Sequence, residues 1–230
     1  MLLKLNQLHM SIQLHNELKK EFQIERLILF SDAVFAIAIT LLVIEIKVPE
    51  IEKALISDEA IGKSLAHLIP RFVGFLISFM IIGLYWTVHH KVFVFVDNYT
   101  NKLLWLNLFF LFSIALMPFS SGLYGEYANH IDLLFPYGFY VFNICLTGFF
   151  NFLIWRYISN PKNGISEQPI SNARRGYGNF RTLVVPFAFL LSFLVSVFNP
   201  VIGRYMPMLI PVMMRLAAKY YKKKDPQLKY

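Results

Sequence analysis

The chain has 230 residues, 57% of them apolar and only 16% charged, with a mean hydropathy of +0.52. That leaves too little polar surface to coat a water-soluble globule, and too much apolar content for a disordered or fibrous chain. A net charge of +8 accompanies an aromatic share of 17%, and the lone cysteine, Cys145, excludes an internal disulfide or a thiolate metal site.

Residues 1–26 hold no apolar core of signal-peptide length, so no cleavage is expected. Within this arm, residues 9–25 carry Leu14, Leu18 and Phe22 at helical spacing and predict a cytosolic amphipathic helix, lying on the membrane surface or on its own bundle. A bilayer core of about 30 Å needs about 20 apolar helical residues. Runs of that kind are expected at 27–48, 68–89, 103–124, 133–157, 182–198 and 201–218. The sixth is short, contains Pro207 and Pro211, and follows the fifth across Asn199 and Pro200 alone. It reads as a kinked helix in a tight hairpin, with a re-entrant segment as the alternative. The expected fold class is an all-α integral membrane protein with six transmembrane helices over 27–218, flanked by the arm 1–26 and a basic tail 219–230, with no internal repeat and no second domain.

Orientation follows from the 22 Lys and Arg. Lys47, Lys53, Lys63 and Arg204 fall on one side and Arg71 just inside the second span, whereas all the others fall in the arm, the second-to-third and fourth-to-fifth connections, and the tail. Both termini are therefore expected on the cytoplasmic side. The net charge reads as topology, which excludes nucleic acid as the partner and leaves the lipid bilayer.

The first span carries Asp32 a little more than one turn into an apolar helix. A carboxylate costs about 2.5 kcal/mol or more at the bilayer centre and less toward the interface, so Asp32 must face protein or water. Residues expected at similar depth include Trp86, His89, His90, Lys91, Trp105, Asn107, Asn151 and Arg156. Asp32 is expected in a polar cluster with His89 or His90, acting as a buried interhelical link or as a proton-sensing or gating group. At 100° per residue, Arg26, Phe30, Ala33, Ile37, Leu41, Ile44 and Val48 share one stripe, flanked by Thr40, with Asp32 on another side. Taken alone, such a stripe is ordinary packing surface.

The run Arg26, Phe30-Ser31-Asp32 and then Thr40 resembles the signature opening the repeat of the transmembrane-protein-175 family of potassium channels. The resemblance continues in Trp86 with His89-His90, in Asn107 with Pro118-Phe119, and in the six spans. Animal lysosomal members carry two repeats and prokaryotic members one. The single repeat here implies a homotetramer of the prokaryotic type, in the plasma membrane of a prokaryote. The resemblance further implies a central pore lined by the first helix, with Ile37 as the main constriction and Leu41 and Ile44 continuing the ring. Thr40 would be the hydroxyl layer that favours potassium, and Arg26, Phe30, Ser31, Asp32, Trp86, His89 and His90 would be the network holding the pore helices. The permeant species would be monovalent cations, potassium first, with no cofactor and no metal.

No T-V-G-Y-G filter and no arginine ladder is present, so neither a carbonyl filter nor a voltage sensor is expected. An enzyme is not expected, because the spans hold no paired carboxylates, H-E-x-x-H, nucleophile elbow or phosphate-cradling glycine loop. The adjacent His89 and His90 point about 100° apart on a helix, awkward for joint metal ligation. The rival readings are a proton channel and a proton-coupled secondary transporter, the latter resting on Asp32 and the Pro-broken sixth span.

Overall fold

Residues 2–44 contain neither Gly nor Pro, and they form one unbroken helix, α1 (Leu2–Ile44). The structure, a computed structural model, describes the backbone of residues 2–224 and the side chains of residues 10, 15 and 17–224. The side chains of Lys4 and Leu14, and Lys229 altogether, lie outside the described residues. The expected arm helix is thus continuous with the first span, and residue 26 marks no break. Leu18 and Phe22 stay exposed rather than packing on the bundle. With nothing to kink it, the arm leaves along the axis of its span instead of turning into the membrane plane.

The remaining helices start and stop where caps and prolines dictate. α2 (Asp58–His67) opens at Ser57, whose hydroxyl accepts from the Ala60 N–H at 3.1 Å, and ends at Leu68. α3 (Ile69–Phe93) follows with Pro70 in its first turn, where the missing N–H costs nothing. Thr100 caps α4 (Asn101–Ala115), accepting from the Leu103 N–H at 3.2 Å. Pro118 sits in the first turn of α5 (Met117–Glu126), so the third span is two helices stacked end to end through Leu116. α6 (Leu134–Ile158) is followed by a short loop and by α7 (Asn172–Phe198), capped by Ser171. Asn199 caps α8 (Pro200–Tyr205), and a 3-10 turn over Met206–Leu209 leads into α9 (Ile210–Lys224).

Six stretches are long and apolar enough to cross a bilayer: Glu17–Ile44, Ile69–Phe93, Asn101–Glu126, Leu134–Ile158, Asn172–Phe198 and Pro200–Lys224. The chain is an all-helical, multi-pass integral membrane protein. Some boundaries differ from expectation, and the first span stops at Ile44 rather than at residue 48. α7 begins ten residues before Thr182, because its first turns are amphipathic: Tyr177 and Thr182 pack inward while Arg174, Arg175 and Arg181 depress the local hydropathy. The sixth stretch is not one helix but α8, a 3-10 turn and α9. It nevertheless returns along the whole of α7, since the Tyr221 ring near its end lies 5.6 Å from that of Tyr177 near the start of α7.

Between helices in lipid there is little hydrophobic drive, so close packing and polar contacts decide which faces meet. α6 and α7 touch through their smallest residues. A Cβ at Gly148 would overlap the Pro186 ring, and one at Gly178 would overlap the Trp155 indole. On the other side of the bundle, α1, α3 and α4 close around Phe35, Ile82, Leu103 and Phe110, all fully buried.

Candidate functional site

α1 has one face inside the bundle and one outside it. Leu27, Ser31, Phe35, Ala38 and Leu42 are buried against α3, α4 and α5. Arg26, Phe30, Ala33, Ile37, Leu41 and Ile44 form the predicted stripe on the opposite face, and all are exposed, Ile37 at 58% and Ile44 at 68%; Val48, expected to continue it, lies past the helix end. The stripe is therefore not packing within one chain. Thr40, on its flank, donates its hydroxyl hydrogen to the carbonyls of Ala36 (3.1 Å) and Ile37 (2.9 Å). The proton is thereby committed to the helix, and what Thr40 presents at the surface is an oxygen acceptor.

Behind the stripe, polar side chains tie α1 to α3 and α4. Ser31 donates to the Leu27 carbonyl at 2.8 Å, and the Asn107 amide donates to the Ser31 oxygen at 2.9 Å. That leaves the Asn107 carbonyl oxygen as the acceptor, so the His89 Nε2, 2.8 Å away, is the donor. His89 is 2% exposed and wedged between Phe93 and Phe110, at ring distances of 4.1 and 5.5 Å, with Phe35 edge-on at 5.7 Å. It is a satisfied interior histidine.

Asp32 does not pair with either histidine as expected. Its carboxylate accepts from the Trp86 indole N–H at 2.9 Å. The aromatic wedge holds His89 toward Asn107, and His90 lies on the outer face of α3, stacked on Trp86 at 6.1 Å. Arg26 joins neither group: it is exposed and lies over the Phe22 ring of its own helix at 5.8 Å. Phe30 likewise belongs to the stripe rather than to the network. Of the other residues expected at this depth, Asn151 is buried with its amide nitrogen unpartnered, while Lys91, Trp105 and Arg156 are exposed.

A second polar string was missed from the sequence. Ser78 on α3 lies within hydrogen-bonding distance of Ser121 (2.7 Å) and the Tyr140 hydroxyl (2.9 Å), and Asn143 donates to Ser120 at 3.1 Å. The one signal for it is the presence of lone small polar residues inside apolar runs, which does not say which of them meet.

Residues 26–118 match the family model described as the endosomal/lysosomal potassium channel TMEM175. Over that stretch the chain is similar to the TMEM175 family. The matched stretch runs from Arg26 through Ile37, Thr40, Trp86, His89 and Asn107 to Pro118, so the stripe and both hydrogen-bonded groups behind it lie in the TMEM175-like part. A potassium channel of Chryseobacterium sp. (strain P1-3) is 41% identical over 96 residues, 42% of this chain and 46% of that one. The mouse endosomal/lysosomal proton channel TMEM175 is 29% identical over 121 residues, 53% of this chain and 23% of that protein. The chain spans about half the length of the bacterial relatives it matches. In fold, it resembles the crystal structure of a lysosomal potassium-selective channel TMEM175 homolog from Chamaesiphon minutus, with a TM-score of 0.70 and 24% identity over 85% of this chain and 98% of that one. The TMEM175 likeness in fold thus reaches well past residue 118, into the spans where the family model finds no match.

Proposed function

We propose that the protein is a homotetrameric, potassium-permeable cation channel of a prokaryotic plasma membrane, with α1 lining a central pore and both termini in the cytoplasm. The observation that carries this reading is the two-faced first helix: one face fully engaged by α3, α4 and α5, and the other an aliphatic ladder that meets nothing in its own chain. Copies arranged around that ladder would bring Ile37, Leu41 and Ile44 into successive rings. A ring of branched aliphatic side chains excludes ions by dewetting and needs no carbonyl filter. Thr40 supports the same reading, because an oxygen whose proton is turned into the helix is suited to face a cation. Ser31, Asn107 and His89, with Asp32 and Trp86 beside them, would fix the rotation of α1. Potassium is the permeant ion and no cofactor is called for.

The test is the reversal potential of the purified protein in planar bilayers under opposing potassium and sodium gradients at symmetrical pH. Displacement toward the potassium equilibrium potential is expected, and a potential that ignores the potassium gradient would overturn the reading. A second reading, a proton pathway, is favoured by the similarity to the mouse endosomal/lysosomal proton channel. Under a pH gradient with symmetrical potassium, a reversal potential that follows the protons would select it.

A further inference from the structure

A cavity of about 400 Å³ opens between the ends of α3 and α6 and the first half of α7, away from the stripe. Its wall is apolar, formed by Val88, Val92 and Trp155. Its rim is cationic, with Lys91 from α3 and Arg174 and Arg181 from α7. Among the described residues the ion pairs are Lys63 with Glu59 and Arg71 with Glu126, so none of the three rim cations is held by a carboxylate. The Arg181 Nε is buried and has no hydrogen-bond partner. The Arg174 guanidinium lies 5.5 Å over the Phe95 ring, a contact with an aromatic face that leaves its N–H edge available. Close approach of Gly178 to Trp155 holds α7 against α6 beneath the cavity.

Three like charges gathered at one rim repel each other, and the repulsion is strong where water is scarce. An anion among them removes that cost, and Arg offers the planar fork that suits phosphate oxygens. The apolar wall is of no use to a free inorganic anion. A phospholipid uses both parts, and cationic pockets between membrane helices are where anionic headgroups are held. We propose that this cavity binds an anionic phospholipid from the membrane leaflet at the chain's basic end, with its phosphate among Lys91, Arg174 and Arg181 and the start of an acyl chain along Val88, Val92 and Trp155. The site is independent of whether the stripe conducts.

The experiment is native mass spectrometry of the full chain, released from neutral detergent micelles doped with phosphatidylglycerol or with phosphatidylcholine of the same acyl chains. Phosphatidylglycerol adducts are expected in excess over phosphatidylcholine adducts. K91Q and R174Q should each cut the phosphatidylglycerol adducts about fivefold, which corresponds to roughly 1 kcal/mol per cation facing anionic lipid. K162Q, which removes an exposed cation from the α6–α7 loop outside the cavity, should leave them unchanged. K91Q changes an exposed side chain and leaves the buried Arg181 in place, so the test does not depend on whether R181Q folds. Equal adducts for the two lipids, adducts insensitive to K91Q and R174Q, or an equal loss in K162Q would each overturn the proposal. Displacement of phosphatidylglycerol by inorganic phosphate would overturn it in favour of a soluble anion.

Discussion

At the scale of single residues, Ile37 and Asn107 have opposite jobs and opposite tests. Ile37 faces away from its own bundle, so Ile37→Asn should leave the fold intact while wetting the proposed ring and raising basal conductance in bilayers. Unchanged conductance in a folded assembly would remove Ile37 from the pathway. Asn107 is fully buried, with His89 donating to it and Ser31 accepting from it. Asn107→Leu keeps the volume and orphans the His89 N–H, at an expected cost of about 1–3 kcal/mol, read as a lower melting temperature in detergent. Replacing His89 as well removes the orphan, so H89F/N107L should recover part of that loss, and purely additive losses would argue against a coupled pair. Asp32→Ala is the milder change. Its partner is the N–H of a partly exposed indole, which can turn to water, so the cost should stay under about 1.5 kcal/mol.

At the scale of helices, the contact between α6 and α7 depends on two absent side chains. Gly148→Ala would drive a methyl group into Pro186 and should cost about 1–3 kcal/mol in thermal unfolding, as overpacked interiors do. Gly74→Ala, on α3 with nothing within 4 Å, should be neutral or gain up to about 1 kcal/mol from helix propensity. A similar melting temperature for the two variants would show that the close approach is not tight. The spans themselves were legible, because twenty apolar residues between charged loops leave few alternatives. The start of α7 was not: Arg174, Arg175 and Arg181 lower the hydropathy of a helix whose inward side is Tyr177 and Thr182, and a windowed average cannot see sides. The partner of Asp32 was missed for a related reason. Depth along the membrane can be counted from the sequence, but the wedge of Phe93 and Phe110 that turns His89 toward Asn107 is a tertiary fact. The stripe was legible as a pattern, and the structure adds that it has no partner within its own chain.

At the scale of the whole molecule, the same stripe predicts how copies meet. In a Cys145→Ala background, Ile44→Cys should form a disulfide-linked dimer under mild oxidation in the membrane, because stripes around one axis face each other. Ile82→Cys, fully buried, should not. Equal cross-linking of both, or of neither, would count against α1 as the shared surface. The unbroken first helix adds a mechanical consequence. From Glu17 to Ile37 it is a rod on the order of 30 Å long at 1.5 Å per residue, with no glycine or proline to act as a joint. Such a rod is a crank: a tilt of about 5° at one end displaces the other by roughly 2–3 Å, and a twist arrives undiminished. Whatever grips residues 17–25 from outside the membrane therefore has its hand on the angle at which Ile37 is presented.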